Sequence, residues 1–341
     1  MSWFESQKLG EMAPGTKVII YSLLWFWAFV VVFPLYWVVI TSFKLPVHVS
    51  DGPDFLPFID YQPSLHAWKY IFIDLGSDTF RPYLNSVIIA SISTVFAMIF
   101  GSMAAYALAR LHFQPRLISI VLFLIALGLA AYAAISFGVD WRLALALGIA
   151  VFFFLVRALQ RVPSPRLGNG DILFWVISQR ILPPIVAALP IYIMFQQLHI
   201  LDTHFAIILT YITVNLPIVV WLMYDFFVSI PRDIEESAGL DGASKIRIFF
   251  EMALPLAKPG LAATSLLVLI LSWNEYLLAL FLSTAKAQTI PLLVAAQNAT
   301  RGPQWWYMSV LIIIMIVPVV LLTILLQRLI SKGLLLGAVK G

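Results

Sequence analysis

The chain contains no cysteine, so it can form no disulfide, thiolate metal site or cysteine nucleophile. It is also poor in charge. Only 11% of its 341 residues are charged and 62% are hydrophobic, far too apolar for a soluble domain. No HExxH pattern or acidic cluster suggests a metal. No glycine-rich sequence ends in Gly-Lys-Ser/Thr, so the chain is not expected to bind ATP itself. The net charge of +4 is not gathered into one patch. That argues against nucleic acid and for basic residues facing the cytosol.

What the chain has instead is long runs free of charge. A segment that crosses a hydrocarbon core of roughly 30 Å needs about 20 apolar residues. Such runs lie within 17–44, 81–110, 116–140, 180–202, 202–225 and 301–328. Another, within 258–286, is interrupted only by Glu275, and a shorter one lies within 142–157. The first fifteen residues are polar and no small-residue cleavage site follows a short apolar core, so the first span is expected to be retained.

Eight spans and a cytosolic N-terminus put fourteen of the 21 basic residues inside and six outside, with Arg180 within a span. This bias favours that orientation over its inverse, with both termini cytosolic. The outer loop 44–81 combines five aspartates and four prolines with Phe55, Phe58, Tyr61, Trp68, Tyr70 and Phe72. Its aromatic content predicts a compact extracytoplasmic cap rather than a disordered connector. Ala97, Gly101, Ala105 and Ala109 put a small residue at every fourth position of the second span, which lets helix backbones approach closely.

The polar segment 229–258 is the most distinctive part of the chain. Ser229 and Pro231 are helix-start signals, and Asp233, Glu235 and Glu236 suit the positive end of a helix dipole. Gly242 can end that helix in a left-handed conformation. Ser244 can cap a second helix with Ile246, Phe249, Phe250 and Ala253 on one apolar face, ended by Pro255. A helix-turn-helix across the cytosolic mouth is expected, one face packed under the bundle and the other presenting Glu235, Glu236 and Asp241.

The order of residues in this segment carries a resemblance. Glu236-Ser237-Ala238, Gly242 three residues later, and Met252, Leu254 and Pro255 after nine more resemble the EAA loop of ATP-binding-cassette importer permeases. Ser237 stands for the family's alanine and Met252 for its isoleucine. Leu240-Asp241-Gly242-Ala243 is similar to the maltose and polyol branch. So are Asn85-Ser86 and Ala105-Tyr106-Ala107-Leu108-Ala109-Arg110 around the second span, Trp273-Asn274-Glu275-Tyr276, and the tail 332–341.

The resemblance implies a transport subunit of the bacterial inner membrane, not an enzyme. It implies an all-α integral membrane fold with a six-span permease core. The expected division is a cytosolic N-terminus at 1–16, a transmembrane permease domain at 17–331 and a cytosolic tail at 332–341. Implied partners are a second homologous permease, two cytosolic ATPase subunits that carry the ATP and Mg, and an extracytoplasmic solute-binding protein. Glu235, Glu236, Ser237, Ala238, Gly239, Leu240, Asp241, Gly242, Ala243 and Pro255 would then couple the pore to an ATPase.

About 55 residues, 114–169, exceed the six-span pattern. If only one of their two apolar runs crossed, the segment 229–258 would end up outside, away from any ATP. The run 117–139 is long enough to span at about 1.5 Å per residue, so both are expected to cross as an inserted two-helix hairpin, making eight spans. Arg142 and Arg157 would snorkel to the two interfaces.

Glu275 is an intramembrane acid and hence a functional candidate. With Asn274 for hydrogen bonding and Trp273 for a flat apolar face it could meet a sugar or polyol, or it could cap a kink. Arg180, followed by Pro183-Pro184 and Pro190, and Asn215, followed by Pro217, mark helices that could open onto a cavity. His199 and His204 flank an outer turn and are expected at the interface. Asn298-Ala299-Thr300 is a formal glycosylation triplet without expected meaning.

Two other classes stay open. An ion-gradient-driven secondary transporter would want charged relays in several spans and an internal repeat. A membrane enzyme acting on lipid-linked sugars would want facing carboxylates, and adjacent residues such as Glu235 and Glu236 do not face each other.

Overall fold

The computed structural model describes residues 12–112, 114–298 and 302–338, with the side chains of 141 and 328–338 excluded. Most of the N-terminal tail, the last two residues of the 298–300 triplet and the last three of the chain lie outside it. The described residues form helices, with only two isolated bridges, Pro57 with Tyr61 and Arg116 with Arg166. The main helices are α1 (Pro14–Thr41), α2 (Gly76–Arg110), α3 (Leu117–Phe137), α4 (Trp141–Ala158), α5 (Asn169–Ser178), α6 (Pro184–Gln197) and α7 (His204–Ser229). They are followed by α8 (Arg232–Leu240), α9 (Lys245–Leu256), α10 (Lys258–Trp273), α11 (Leu277–Leu282), α12 (Ile290–Ala296) and α13 (Trp305–Ala338). The first seven residues expected in a tail at 332–341 therefore continue α13.

Five of the described helices are long and apolar enough to cross a bilayer: α1, α2, α3, α7 and the 305–327 stretch of α13. Seven spans result if the bent pairs α5–α6 and α9–α10 each count as one. The run expected to supply an eighth is α4.

Local chemistry explains the boundaries. Pro14 opens α1, where its missing N–H leaves no bond unmade. Gly138, at φ +65°, ends α3 in the left-handed region that favours glycine. The Asp140 carboxylate caps α4 by accepting the N–H of Arg142 at 2.9 Å. Asp171 returns to accept the N–H of Gly168 at 2.8 Å and fixes the start of α5.

The chain divides into two compact units. One gathers the chain up to Ser91 with Ala187–Ile208 and Ile270–Leu325. Here the 44–81 loop is ordered, as its aromatics predict. Lys44 is buried, donates to the Asp54 carbonyl at 2.6 Å and lies 4.4 Å from the Trp37 ring centre. Burial pushes its ammonium below the usual lysine range, against the opposing pull of Asp54 and Asp60. The Tyr61 hydroxyl donates to the Ile40 carbonyl at 3.0 Å, tying the loop to the end of α1.

The second unit gathers Ile92–Val186 and Leu209–Leu269 with the chain from Leu326 on. The small residues of α2 do what their spacing suggests: Ala97, Ala105 and Ala109 are buried in a core with Val219, Met223 and Phe227 of α7. A Cβ on Gly101 would stand 2.5 Å from the Val219 side chain. Within this unit α3 and α4 pack together, with Phe123 against Phe152 and Gly148 close to Ala126 and Ala130. Their outer ends are joined by an antiparallel bridge. The Leu117 N–H donates to the Pro165 carbonyl at 2.9 Å and the Leu167 N–H to the Pro115 carbonyl at 3.0 Å.

Candidate functional site

The segment after α7 forms a helix-turn-helix. Ser229 belongs to the end of α7, donating to the Phe226 carbonyl at 2.7 Å, so Pro231 alone marks the start of α8. Gly242 has φ +83°. The Ala243 N–H reaches the Ala238 carbonyl at 3.0 Å and the Gly242 N–H the Gly239 carbonyl at 3.1 Å. This pair of bonds is a Schellman closure with glycine at the left-handed position. Ser244 caps α9 by accepting the Arg247 N–H at 3.3 Å.

Two expectations need correction. Pro255 does not end α9. The helix carries a π turn at Phe249–Ala253, and it breaks two residues later at Ala257, where α10 departs at 79°. The wider turn relieves the clash a proline ring would make with the carbonyl four residues earlier. The apolar face is also divided differently. Ile248, Phe249 and Ala253 are buried, whereas Ile246 and Phe250 are 72% and 55% exposed.

Glu235 is the larger surprise. It was expected on the presented face, and it is 9% exposed. Its carboxylate lies 2.8 Å from the Arg110 guanidinium and accepts the Tyr106 hydroxyl at 2.8 Å, both from α2. Arg110 also donates to the Ile230 carbonyl at 3.0 Å. The Tyr106 ring packs on Phe227 and Phe249, with centres 5.4 and 4.9 Å away. Ala238, one turn on, is buried as well.

The opposite face of α8 and its turn is open. Glu236, Ser237, Gly239 and Asp241 are exposed, and Leu240 is 90% exposed. Ile246 and Phe250 are exposed too, so the segment shows apolar residues at its surface among Glu236, Asp241, Lys245 and Arg247. A cavity of about 570 Å³ opens beside it, lined by Met103, Tyr106, Arg110, Lys245 and Phe250.

The residues expected along a pathway are placed as follows. The Arg180 guanidinium, in the turn between α5 and α6, donates to the Asn215 carboxamide at 2.9 Å. Trp273 does not offer a free face: it is buried, donates to the Met315 carbonyl at 3.0 Å and meets the edge of Tyr83. Glu275 lies in the break after α10, where it caps α11 by accepting the Leu278 N–H at 3.0 Å. Asn274 is exposed and, with Tyr276, Ile312 and Met315, lines a cavity of about 460 Å³.

Another polar cluster brings together Asn85, Ser86 and His204, which the sequence shows only separately, with Asp202. Asp202, at φ +58°, accepts the backbone N–H of Thr284, Ala285, Lys286 and Ala287 at 2.9–3.3 Å. Burial pushes its carboxyl up, but the four N–H groups outweigh this and hold it down at about 2. Asn85 donates to the Lys286 and Gln288 carbonyls at 2.9 and 2.8 Å, and its oxygen lies 2.7 Å from His204. Ser86 accepts the Ile290 N–H at 2.8 Å. These partners are 82 to 204 residues apart in the chain, so no local sequence pattern signals the arrangement.

Residues 170–335 match the family described as "Binding-protein-dependent transport system inner membrane component". The chain is 29% identical over 319 residues to the trehalose/maltose transport system permease protein MalG of Thermococcus litoralis, covering 92% of this chain and 93% of that one. It is 29% identical over 333 residues to the trehalose transport system permease protein SugB of Mycobacterium tuberculosis, covering 96% and 95%. A chain in the crystal structure of a bacterial ABC transporter involved in the import of the acidic polysaccharide alginate has a TM-score of 0.59 at 20% identity, covering 92% and 95%. That last likeness concerns the fold.

Proposed function

We propose that this chain, whose residues 170–335 match the binding-protein-dependent inner-membrane transport components, belongs to that family and forms half of the translocation pathway of an ATP-driven importer for a sugar or polyol. ATP and Mg act on a separate cytosolic ATPase, present in two copies. A second homologous permease completes the pore, and an extracytoplasmic solute-binding protein delivers the substrate. The carbohydrate class rests on relatives whose names specify trehalose and maltose transport.

The observation that carries the reading is the α8–α9 turn. A glycine-closed helix-turn-helix leaves Leu240, Ile246 and Phe250 exposed on the same segment as Glu236 and Asp241. A soluble partner with an apolar groove and a basic rim could grip it. Glu236, Ser237, Gly239, Leu240 and Asp241 face that partner in this reading. Ala238, Gly242, Ala243 and Pro255 shape the turn and the helix after it. Asn274 and the Arg180–Asn215 pair are the remaining candidates for contact with substrate, while Glu275 and Trp273 hold their helices.

The same reading counts eight spans, with 114–169 as a peripheral inserted hairpin. Its support is that the feet of the insert are bonded side by side, which fits both runs crossing or neither, and that α3 is long and apolar enough to cross. It also places 44–81 outside and 229–258 and both termini in the cytosol.

The test is a mild-detergent pull-down of the tagged chain from its native membranes, with partners identified by mass spectrometry. Reconstituted uptake with and without ATP should follow. Recovery of an ATPase and a second permease, with ATP-dependent uptake of a sugar, is expected. A chain that purifies alone and transports on an ion gradient would overturn the reading.

A further inference from the structure

We infer that Glu235 is a positioning residue which, through Arg110 and Tyr106, makes the ATPase-facing helix α8 move as one body with α2. The inference rests on the coupling role proposed above and reassigns one acid within it.

Three observations carry it. First, Glu235 and Glu236 are neighbours with opposite fates. Glu236 is exposed, while Glu235 is turned inward and buried. A nearly buried carboxylate needs a charged partner and hydrogen bonds, and Glu235 has both at 2.8 Å from one helix. Second, the contact is a fork. The Arg110 Nε and Nη2 both reach Glu235 Oε1, Tyr106 donates to the other oxygen, and Arg110 Nη2 also holds the Ile230 carbonyl just before α8. Arg232 adds a long contact of 3.5 Å to the Ala109 carbonyl. Third, Tyr106 is wedged between Phe227 of α7 and Phe249 of α9, so the fork sits on a packed core and not on a loose surface.

A force on Leu240 or Glu236 therefore reaches the cytosolic end of α2 through short, directional bonds. An ion pair suits this task because breaking it strands a buried charge, whereas apolar contacts between helices can slide. Two of the stretches that carry the family resemblance, 105–110 and 236–243, lie on this reading at the two halves of one joint.

The chain's lack of cysteine makes the test clean. The assembled transporter, with its ATPase, second permease and binding protein, is reconstituted in proteoliposomes. Uptake per ATP hydrolysed is measured for wild type, Glu235→Gln, Arg110→Ala, the swap Glu235→Arg/Arg110→Glu, and Glu235→Cys/Arg110→Cys. The single variants should lower uptake per ATP at least fivefold while ATPase subunits still co-purify. The swap should recover a substantial part. The cysteine pair should be impaired, and a short bis-maleimide cross-link should restore it while leaving wild type unaffected. Uptake per ATP within twofold of wild type in Glu235→Gln and Arg110→Ala would overturn the inference. So would a loss that neither the swap nor the cross-link repairs, since the joint would then be only structural. Failure of the proposed function itself would show differently, as a wild-type chain that retains no ATPase.

Discussion

Asp202 offers the sharpest physical prediction. Its carboxyl is held at about 2 against an ordinary value of 3.8. At about 1.4 kcal/mol per unit, that difference corresponds to roughly 2.4 kcal/mol of preference for the charged form in the folded state. The group is partly exposed, so solvent screening reduces this to about 1–2 kcal/mol. Replacing it by asparagine keeps an oxygen acceptor and removes the charge that four N–H groups share. Hydrogen exchange at 284–287 should then accelerate about 5- to 30-fold at pH 7, since 1.4 kcal/mol is a factor of ten. The pH dependence has a definite sign. The folded pKa lies below the unfolded one, so the stabilisation is complete above about pH 4 and is lost as pH falls through about 2. Asp202→Asn should therefore narrow its stability gap to wild type on acidification and show no change in that gap between pH 6 and 8. Exchange mass spectrometry of the purified protein reads the first effect and thermal unfolding from pH 7 to 3 the second. Protection at 284–287 within twofold of wild type would refute the reasoning.

Gly242→Val puts a β-branched residue at φ +83°, which should abolish substrate-driven uptake while membrane levels stay near wild type; normal uptake would sink the turn's role. Gly101→Ala drives a methyl group into Val219 at 2.5 Å and should destabilise by about 1–3 kcal/mol, read as a lower melting temperature and partly rescued by Val219→Ala. Glu275→Ala removes the cap on α11 and should cost about 1 kcal/mol, while Glu275→Gln keeps an acceptor and should lie within about 0.5 kcal/mol of wild type. Equal losses in the two variants would show that the charge, and not the cap, matters there.

Features that depend on a few consecutive residues were legible in the sequence. The Gly242 closure, the Ser244 cap and the charge-free helices follow from local chemistry, and the stripe 97–109 follows from helical period. What escaped depends on partners far along the chain. Nothing between 229 and 258 tells which of two adjacent glutamates turns inward, because the deciding groups are Tyr106 and Arg110. Helical spacing placed Ile246 and Phe250 on the buried face with Phe249. The π turn rotates the helix through its second half, and burial passes to Ile248, Phe249 and Ala253. Intramembrane position made Glu275 a functional candidate, yet the break after Trp273 gives it a backbone N–H to satisfy. Its sequence neighbours suggest a free aromatic face for Trp273, but the groups that cover it, the Met315 carbonyl and the Tyr83 ring, lie far along the chain.

The bonded feet of the 114–169 segment have a consequence for how such a chain changes over generations. Pro115 and Leu167 are hydrogen-bonded neighbours, so the segment between them leaves and returns at one place, and the proposed reading of 114–169 as an inserted hairpin makes it a side branch. Its gain or loss leaves the two ends where the rest of the chain needs them. A deletion that closes the gap with a short glycine linker should leave the remaining helices folded. On that proposed reading, the α3–α4 pair is free to drift in sequence, lengthen or vanish without moving the two points at which it joins the rest of the chain.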